Sequence, residues 1–177
     1  AALAHNGIIY IRRYAGNPAY NYSFNLEKGE FLQYDPAKDQ VETVDAPNEY
    51  WPTIGNLWAD RSNRLWIGAV GFRDPEGKWN RIHPHPWLYM INMSTGNFRW
   101  GSPAKIVFES SDGRLWFKRA IDESRNWGMA WLDPNTMQGC WFTSEYTDLQ
   151  EDQNHVLWMV AGPTTLNKKL YKYEIGK

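Results

Sequence analysis

The sequence lacks several features that mark whole classes of protein. Its 177 residues include a single cysteine, Cys140, which excludes an internal disulfide and a zinc site built from clustered cysteines. No apolar run approaches the ~20 residues that cross a bilayer as a helix. Nineteen basic and twenty acidic side chains leave a net charge of −1, and this balance disfavours nucleic-acid binding, which needs clustered Lys and Arg. We therefore expect neither nucleic-acid binding nor membrane insertion.

Aromatic residues, in contrast, are abundant, and they recur in a repeated motif. The chain has 11 Trp, 10 Tyr and 7 Phe. Each of four copies has a strand tail, a polar turn and an apolar–aromatic–apolar triplet. The triplets are Ile9-Tyr10-Ile11, Leu65-Trp66-Ile67, Leu115-Trp116-Phe117 and Leu157-Trp158-Met159. Because a strand this apolar is typical of one covered on both faces, we expect the four central rings to be buried at equivalent second-strand positions.

A second motif follows each triplet and is typical of a β-hairpin. An alternating strand runs into a polar turn, most clearly Asp35-Pro36 and Asp133-Pro134, and a second strand leaves it. Pro presets the backbone at the second turn position, and the Asp side chain caps the turn. The predicted hairpins span 31–41, 88–98, 129–141 and 170–177.

Together the two motifs predict an all-β fold. Four antiparallel strands recurring every ~40–50 residues are typical of a β-propeller blade, and no segment has the period and caps of a helix. We expect about four four-stranded blades, at approximately 1–46, 54–101, 104–143 and 147–177, the last ending after its third strand. Three arrangements stay open: a part of a larger ring, a ring completed by a second copy or another chain, and a four-bladed ring.

The repeats resemble a known family of propeller blades. The core of the two-component regulator propeller repeat reads roughly Glu-Asp-x-x-Gly-x-Leu-Trp-Ile-Gly. The similar residues here are Glu151-Asp152 with Leu157-Trp158, Asp60 with Leu65-Trp66-Ile67-Gly68, Glu109 with Asp112-Gly113 and Leu115-Trp116, and, more weakly, Ile9-Tyr10-Ile11. The resemblance implies a sensor domain like those of bacterial hybrid histidine kinases, in a periplasmic or extracellular location.

Candidate binding residues fall in the segments between the second and third strand of each of the four repeats. These segments, at 12–30, 70–87, 118–128 and 161–169, carry the length variation, and long loops on a rigid scaffold usually hold binding residues. Aromatic rings and guanidinium groups suit a sugar, a peptide or an anionic ligand. The ligand-binding candidates on this loop face are Arg12, Arg13, Trp79, His83, Lys118, Arg119 and Trp127. The alternative is that the rings cover the blade tops and the cations are solvated strand ends.

Chemistry beyond binding has no clear sequence signal. His83 and His85, two residues apart in an extended segment, point to opposite sides, so we expect no metal site there. Asp60, Glu109, Glu151 and Asp152 end the predicted innermost strands. They could line a central channel, but the simpler interpretation is that they accept backbone hydrogen bonds in turns. We expect no cofactor, and the sequence identifies no catalytic residue.

The sequence therefore predicts a non-catalytic binding propeller, of the sensor type that the resemblance implies. Its partner would be a small molecule, a glycan or a peptide on the long-loop face. Self-association or a partner chain would complete the ring. Two other functions stay open. A carbohydrate-binding or carbohydrate-active propeller would gather Trp and carboxylates in one pocket, whereas a protein–protein scaffold would present a broad flat face.

Overall fold

The expected all-β class is confirmed. The computed structural model describes residues 1–14, 29–45, 56–68, 71–82, 105–120, 127–142, 146–162 and 168–175. These residues form fifteen strands in four antiparallel sheets, and none of them is helical. A helix long and apolar enough to cross a membrane is accordingly not found in this part of the chain.

The strands of each sheet follow one another in chain order. The first sheet contains β1 (Ala2–Leu3), β2 (Ile9–Tyr14), β3 (Gly29–Asp35) and β4 (Gln40–Val44). The second contains β5 (Leu57–Ala59), β6 (Leu65–Ile67), β7 (Gly71–Arg73) and β8 (Trp79–Arg81). The third contains β9 (Lys105–Glu109), β10 (Leu115–Ala120), β11 (Trp127–Leu132) and β12 (Gly139–Phe142). The fourth contains β13 (Tyr146–Glu151), β14 (Val156–Ala161) and β15 (Lys169–Glu174).

The register of the strands repeats from sheet to sheet. The first residue of each triplet lies opposite the residue that precedes the acidic residue of the outer turn. The pairs are Ile9 with Tyr34, Leu65 with Arg73, Leu115 with Leu132, and Leu157 with Tyr173. The expected equivalence of the four central rings is therefore confirmed. Tyr10, Trp66 and Trp116 are buried as expected, whereas Trp158 is only half-buried.

The third and fourth strands of the second sheet are not the ones predicted. They are β7 and β8, joined by a turn at Asp74-Pro75-Glu76-Gly77, and the predicted hairpin at 88–98 lies outside the described residues. The Asp74 Oδ1 accepts the backbone N–H of Lys78 at 2.7 Å, and Gly77 adopts φ +91°, which favours glycine. This Asp-Pro turn has the same chemistry as the turns at Asp35 and Asp133. The segment at 70–87 is consequently not one long loop.

The chain divides into two compact units, residues 1–85 and 86–177, with two sheets in each. In the first unit Tyr10 and Phe31 of the first sheet share a core with Leu65 and Ile67 of the second. The side chain of Trp79 packs against this core. Tyr10 is the centre of its triplet, whereas Leu65 and Ile67 flank the centre of theirs.

The second unit repeats this packing pattern. Trp116 and Met129 of the third sheet share a core with Leu157 and Met159 of the fourth. Again the earlier sheet contributes the central ring of its triplet, and the later sheet contributes the two flanking residues. Because side chains alternate between the two faces of a strand, the central ring of a triplet and its flanking residues lie on opposite faces of a sheet. In both units the face with the central ring packs on the face with the flanking residues of the next sheet.

Candidate functional site

A pocket of about 500 Å³ opens in the first unit where its two sheets meet. Its lining comes from three places in the sequence that are far apart. The residues are Ala1, Ala2, Leu3, Arg12, Asn56, Leu57, Trp58 and Ala59. The volume falls within the ~300–1,000 Å³ that small-molecule sites usually have.

Residues of two edge strands, β1 and β5, line this pocket. β1 and β5 are each the first strand of their sheet, so each has a hydrogen-bonded partner on one side only within the sheets described. The two strands contact each other. An edge strand presents backbone N–H and C=O groups on its open side. The pocket therefore combines apolar side chains with backbone donors and acceptors.

Arg12 brings the positive charge of the pocket, and strand alternation explains why it is there. Tyr10 and Arg12 are two residues apart on β2 and so share a face. Tyr10 is buried in the core of the first unit, and Arg12 follows it toward the pocket. The core thus fixes the strand that carries the guanidinium group.

Arg13, the next residue along β2, has a different environment. Its Nη2 donates to the Oε2 of Glu30 at 2.6 Å, and Glu30 lies opposite Arg13 on β3. The side chain of Arg13 is 64% exposed, and it does not line the pocket. Both arginines were predicted as ligand-binding residues of one face, but of the two only Arg12 lines the pocket.

Asn56 and Trp58 complete the polar part of the lining. The Asn56 carbonyl accepts the backbone N–H of Gly68 at 2.8 Å, which ties the start of β5 to the end of β6. The Nε1 of Trp58 is buried and has no hydrogen-bond partner among the described residues. A buried donor without a partner costs about 1–3 kcal/mol, and such groups in native proteins call for an explanation.

The other predicted cations lie on a strand of the third sheet rather than in a loop. Lys118 and Arg119 both belong to β10. Lys118 lies opposite Met129, as Arg12 lies opposite Phe31, so the two cations occupy equivalent positions in their sheets. The backbone of Arg119 corresponds in the same way to that of Arg13.

The predicted aromatic and histidine candidates have three different outcomes. Trp127 begins strand β11 rather than lying within a loop, and the structure describes its backbone. His83 lies outside the described residues. The placement of Trp79 on the long-loop face was wrong, because Trp79 is the first residue of β8 and follows the tight turn at Asp74.

The contacts of Trp79 show why it belongs to the core. Its ring lies 5.8 Å from that of Phe31, and its Nε1 donates to the backbone carbonyl of Asp45. Both partners belong to the first sheet or its end. Trp79 therefore fastens the outer strand of the second sheet to the first sheet and does not stand at the pocket.

Sequence reasoning missed the lining of the pocket other than Arg12. Its residues are mostly small and apolar, and their contribution is an open strand edge that no motif marks. The placement of Arg12 had a usable signal, since alternation along β2 puts it on the same face as Tyr10. The contact between β1 and β5 depends on how two sheets pack, and one strand's sequence does not contain it.

Two of the candidate carboxylates, Asp60 and Asp152, accept hydrogen bonds in their own turns, as the simpler interpretation expected. Asp152 Oδ1 accepts the backbone N–H groups of Asn154 and Val156 at 2.8 and 3.1 Å. Its Oδ2 accepts from the Nε1 of Trp158 at 2.8 Å. The hydrogen bond from Trp158, followed by the one from Val156, lowers the pKa of the Asp152 carboxyl.

Glu151 links the third and fourth sheets within the second unit. Its Oε2 accepts the backbone N–H of Ser111 at 2.8 Å, and its Oε1 lies 3.0 Å from His155 Nδ1. Burial alone would raise the pKa of Glu151, but the hydrogen bonds from Ser111 and His155 outweigh it and the pKa is lowered. An ionised carboxylate with these partners serves packing between sheets, and neither it nor Asp152 lines the pocket described above.

Comparison with family models and with curated proteins found no match for this chain. The functional argument therefore depends on the geometry of the pocket and on the repeated sheets.

Proposed function

We propose that this chain is a non-catalytic binding module whose four sheets are the blades of a β-propeller, of the kind that the two-component regulator propeller repeat describes. Two features support the blade assignment. In each of the four sheets the strands follow chain order, with three described strands in the fourth sheet and four in the others, and the register at the triplets is the same. Within each unit, moreover, the face with the central ring of one triplet packs on the face with the flanking residues of the next.

The ligand that best suits the pocket is a short peptide segment or small molecule with a carboxylate. The single observation that carries this proposal is the position of Arg12 in an open pocket between two strand edges. A guanidinium group offers two parallel N–H donors that match the two oxygens of a carboxylate. Open strand edges bind extended peptide backbone by β-augmentation.

Binding in this pocket would proceed through two kinds of contact. The carboxylate of the ligand accepts hydrogen bonds from Arg12, while its backbone or amide groups pair with the open side of β1 or β5. Leu3 and Leu57 supply the apolar surface of the pocket. The eight residues described as lining it include a cation and no carboxylate. We therefore favour carboxylate binding over glycoside hydrolysis here, since the latter uses a pair of carboxylates.

The experiment is calorimetric titration with matched peptide pairs. Each pair has one sequence, with either a free C-terminal carboxylate or an amide. We expect the protein to prefer the free acid and Arg12→Ala to lose that preference, weakening binding roughly tenfold or more, in the range of a lost charge-assisted hydrogen bond. Acidic oligosaccharides form a second panel, which separates a glycan carboxylate from a peptide carboxylate.

Arg13→Ala is the matched control, because it removes the same charge one residue away at a site outside the pocket. It should leave the affinity within about twofold, as expected of a screened surface charge. Equal losses for the two variants would show that only net charge matters. Free-acid and amide peptides that bind equally well to every variant would contradict the proposed carboxylate site.

A further inference from the structure

The fourth sheet has an aromatic face that is not covered to the same degree as its equivalents. Along β14 the inward residues Leu157, Met159 and Ala161 are buried, whereas Val156, Trp158 and Val160 alternate with them and are half-buried. Leu170 on β15 is 63% exposed. Lys172 lies opposite Trp158, so it is on the same face of the sheet. Leu170 is two residues before Lys172 on β15 and therefore lies on this face as well. We call Val156, Trp158, Val160 and Leu170 the tryptophan face.

The first sheet has a complementary face that is also exposed. Tyr10 and Phe31 point into the core of the first unit, so the residues that alternate with them point the other way. These are Ile9 and Ile11 of β2 and Leu32 of β3, joined by Val41, which lies opposite Tyr34 on the same side. Ile11 is 38% and Val41 61% exposed. We call Ile9, Ile11, Leu32 and Val41 the isoleucine face.

We propose that the tryptophan face of one copy of this chain docks on the isoleucine face of a second copy. The structure uses this type of contact twice: the face carrying the central ring of one triplet packs on the face carrying the flanking residues of another. The isoleucine face presents flanking residues, and the tryptophan face presents a central ring. The inference rests on the proposed blade arrangement, because it extends the packing between blades to a contact between chains.

A second copy fits better than an unrelated partner because the chain carries both halves of the contact. Each face groups exposed apolar side chains, which mark an interaction site. The charged side chains that share these faces are paired with each other, Lys172 with Glu174 and Arg13 with Glu30. The contact joins two different surfaces and is therefore heterologous. Copies joined by such a contact form a closed ring only at a set number of copies. The four sheets that the described residues form, taken from each of two copies, make eight, which lies within the ~4–8 blades of known propellers. Two copies joined at both faces would form a closed pair.

The test is the mass in solution, measured by light scattering and by sedimentation across a range of micromolar concentrations. Leu170→Asp places a negative charge on the tryptophan face, and Val41→Asp places one on the isoleucine face. Both positions are exposed, so neither change places a charge in the core of a unit. We expect the unmodified chain to have twice its monomer mass, and each variant to raise the dissociation constant by roughly tenfold or more.

The decisive sample is an equimolar mixture of the two variants. The Val41→Asp copy keeps its tryptophan face and the Leu170→Asp copy keeps its isoleucine face, so one intact contact can form between them. The mixture should regain a dimer that neither variant forms alone. Val107→Asp is the control, because Val107 is a 41% exposed valine of the third sheet on neither face, and it should leave the dimer unchanged.

Three results would overturn the proposal. The unmodified chain could be monomeric at every concentration. The Val41→Asp variant could remain dimeric while Leu170→Asp alone dissociates the dimer, which would indicate a symmetric contact between two fourth sheets. The mixture could also fail to restore the dimer. None of these results affects peptide binding at Arg12, which belongs to the opposite face of β2, so failure of this inference is distinguishable from failure of the proposed pocket.

Discussion

The indole Nε1 of Trp66 donates to the Oδ2 of Asp60, six residues earlier in the chain, at 2.8 Å. Both side chains are fully buried. Asp60 also closes the turn between them, since its Oδ1 accepts the backbone N–H groups of Ser62 and Arg64. The same six-residue link joins Trp158 to Asp152 and Trp116 to Ser110. In three of the four sheets, the inner turn is thus hydrogen-bonded to the aromatic ring of the second strand.

Removal of the carboxylate at position 60 should be among the more damaging single changes. In the unmodified protein the Arg64 guanidinium lies 2.5 Å from the Asp60 carboxylate, which also accepts from the Trp66 indole. Asp60→Ala leaves both donors without this acceptor. We expect a loss of about 3 kcal/mol in the free energy of unfolding, the size typical of a broken buried ion pair. Ser110→Ala removes the hydroxyl that accepts from Trp116 and donates to Asp112 or to the carbonyl of Arg114. It leaves no buried charge without its partner and should cost about 1–2 kcal/mol. Urea denaturation of both variants measures the difference. Equal losses would show that the charge at Asp60 is unimportant.

Acid should weaken the link at Asp152. Because its pKa is lowered in the folded protein, the carboxylate stabilises the fold above its unfolded pKa of about 3.9, and this contribution is lost as the pH falls below that value. The difference in stability between the unmodified protein and Asp152→Asn should therefore be largest at neutral pH and shrink at acid pH. Urea denaturation at a series of pH values measures it, with the exposed Asp148→Asn as control. A difference that does not depend on pH would contradict this role.

The central rings should differ in importance according to their burial. Trp116 is fully buried, so Trp116→Ala should cost about 3–5 kcal/mol. Trp158 is only half-buried in the single chain, and Trp158→Ala should cost about 2 kcal/mol at protein concentrations where the chain is monomeric. Thermal or urea unfolding at low concentration tests this order. An equal cost for the two would mean that the ring of Trp158 is covered as fully as that of Trp116.

One outer turn should be open to improvement. Met137 adopts φ +58° in the turn that joins β11 to β12, and a non-glycine residue in this region costs about 1–2 kcal/mol. We expect Met137→Gly to raise the free energy of unfolding by up to about 1 kcal/mol, because the relief is offset in part by the greater flexibility of glycine in the unfolded chain. Met129→Gly, at a buried position of the neighbouring strand, is the contrasting control and should be strongly destabilising. A lower melting temperature for Met137→Gly would contradict the expectation.

The repeated parts of the fold were predictable because they depend on neighbours in the sequence. The triplets at Trp66 and Trp116 and the Asp-Pro turn at Asp133 set strand and turn by local chemistry, and the register followed from them. The second hairpin was misplaced although Asp74-Pro75 carries the same signature. Asp74 lies only seven residues beyond Ile67, whereas the prediction placed a long loop at 70–87, directly after the triplet.

The candidate site was predictable only in part, for a physical reason. Arg12 was identified by its charge and its place after the triplet, but Arg13 was grouped with it although alternate residues of a strand face opposite sides. The walls at Ala2 and Leu57 are formed by two edges that meet through packing of the first two sheets. That contact joins residues more than fifty positions apart, and no local pattern specifies it.

The most direct test of the proposed binding function is a map of backbone amide shifts in an ¹H–¹⁵N NMR spectrum during titration with the preferred free-acid peptide. We predict the largest changes at the strand edges beside Arg12, at Ala2, Leu3 and Leu57–Ala59, and their loss in Arg12→Ala but not in Arg13→Ala. Changes that instead cluster at the tight turns, around Asn63 and Asp74, would contradict the assignment of the ligand to this pocket.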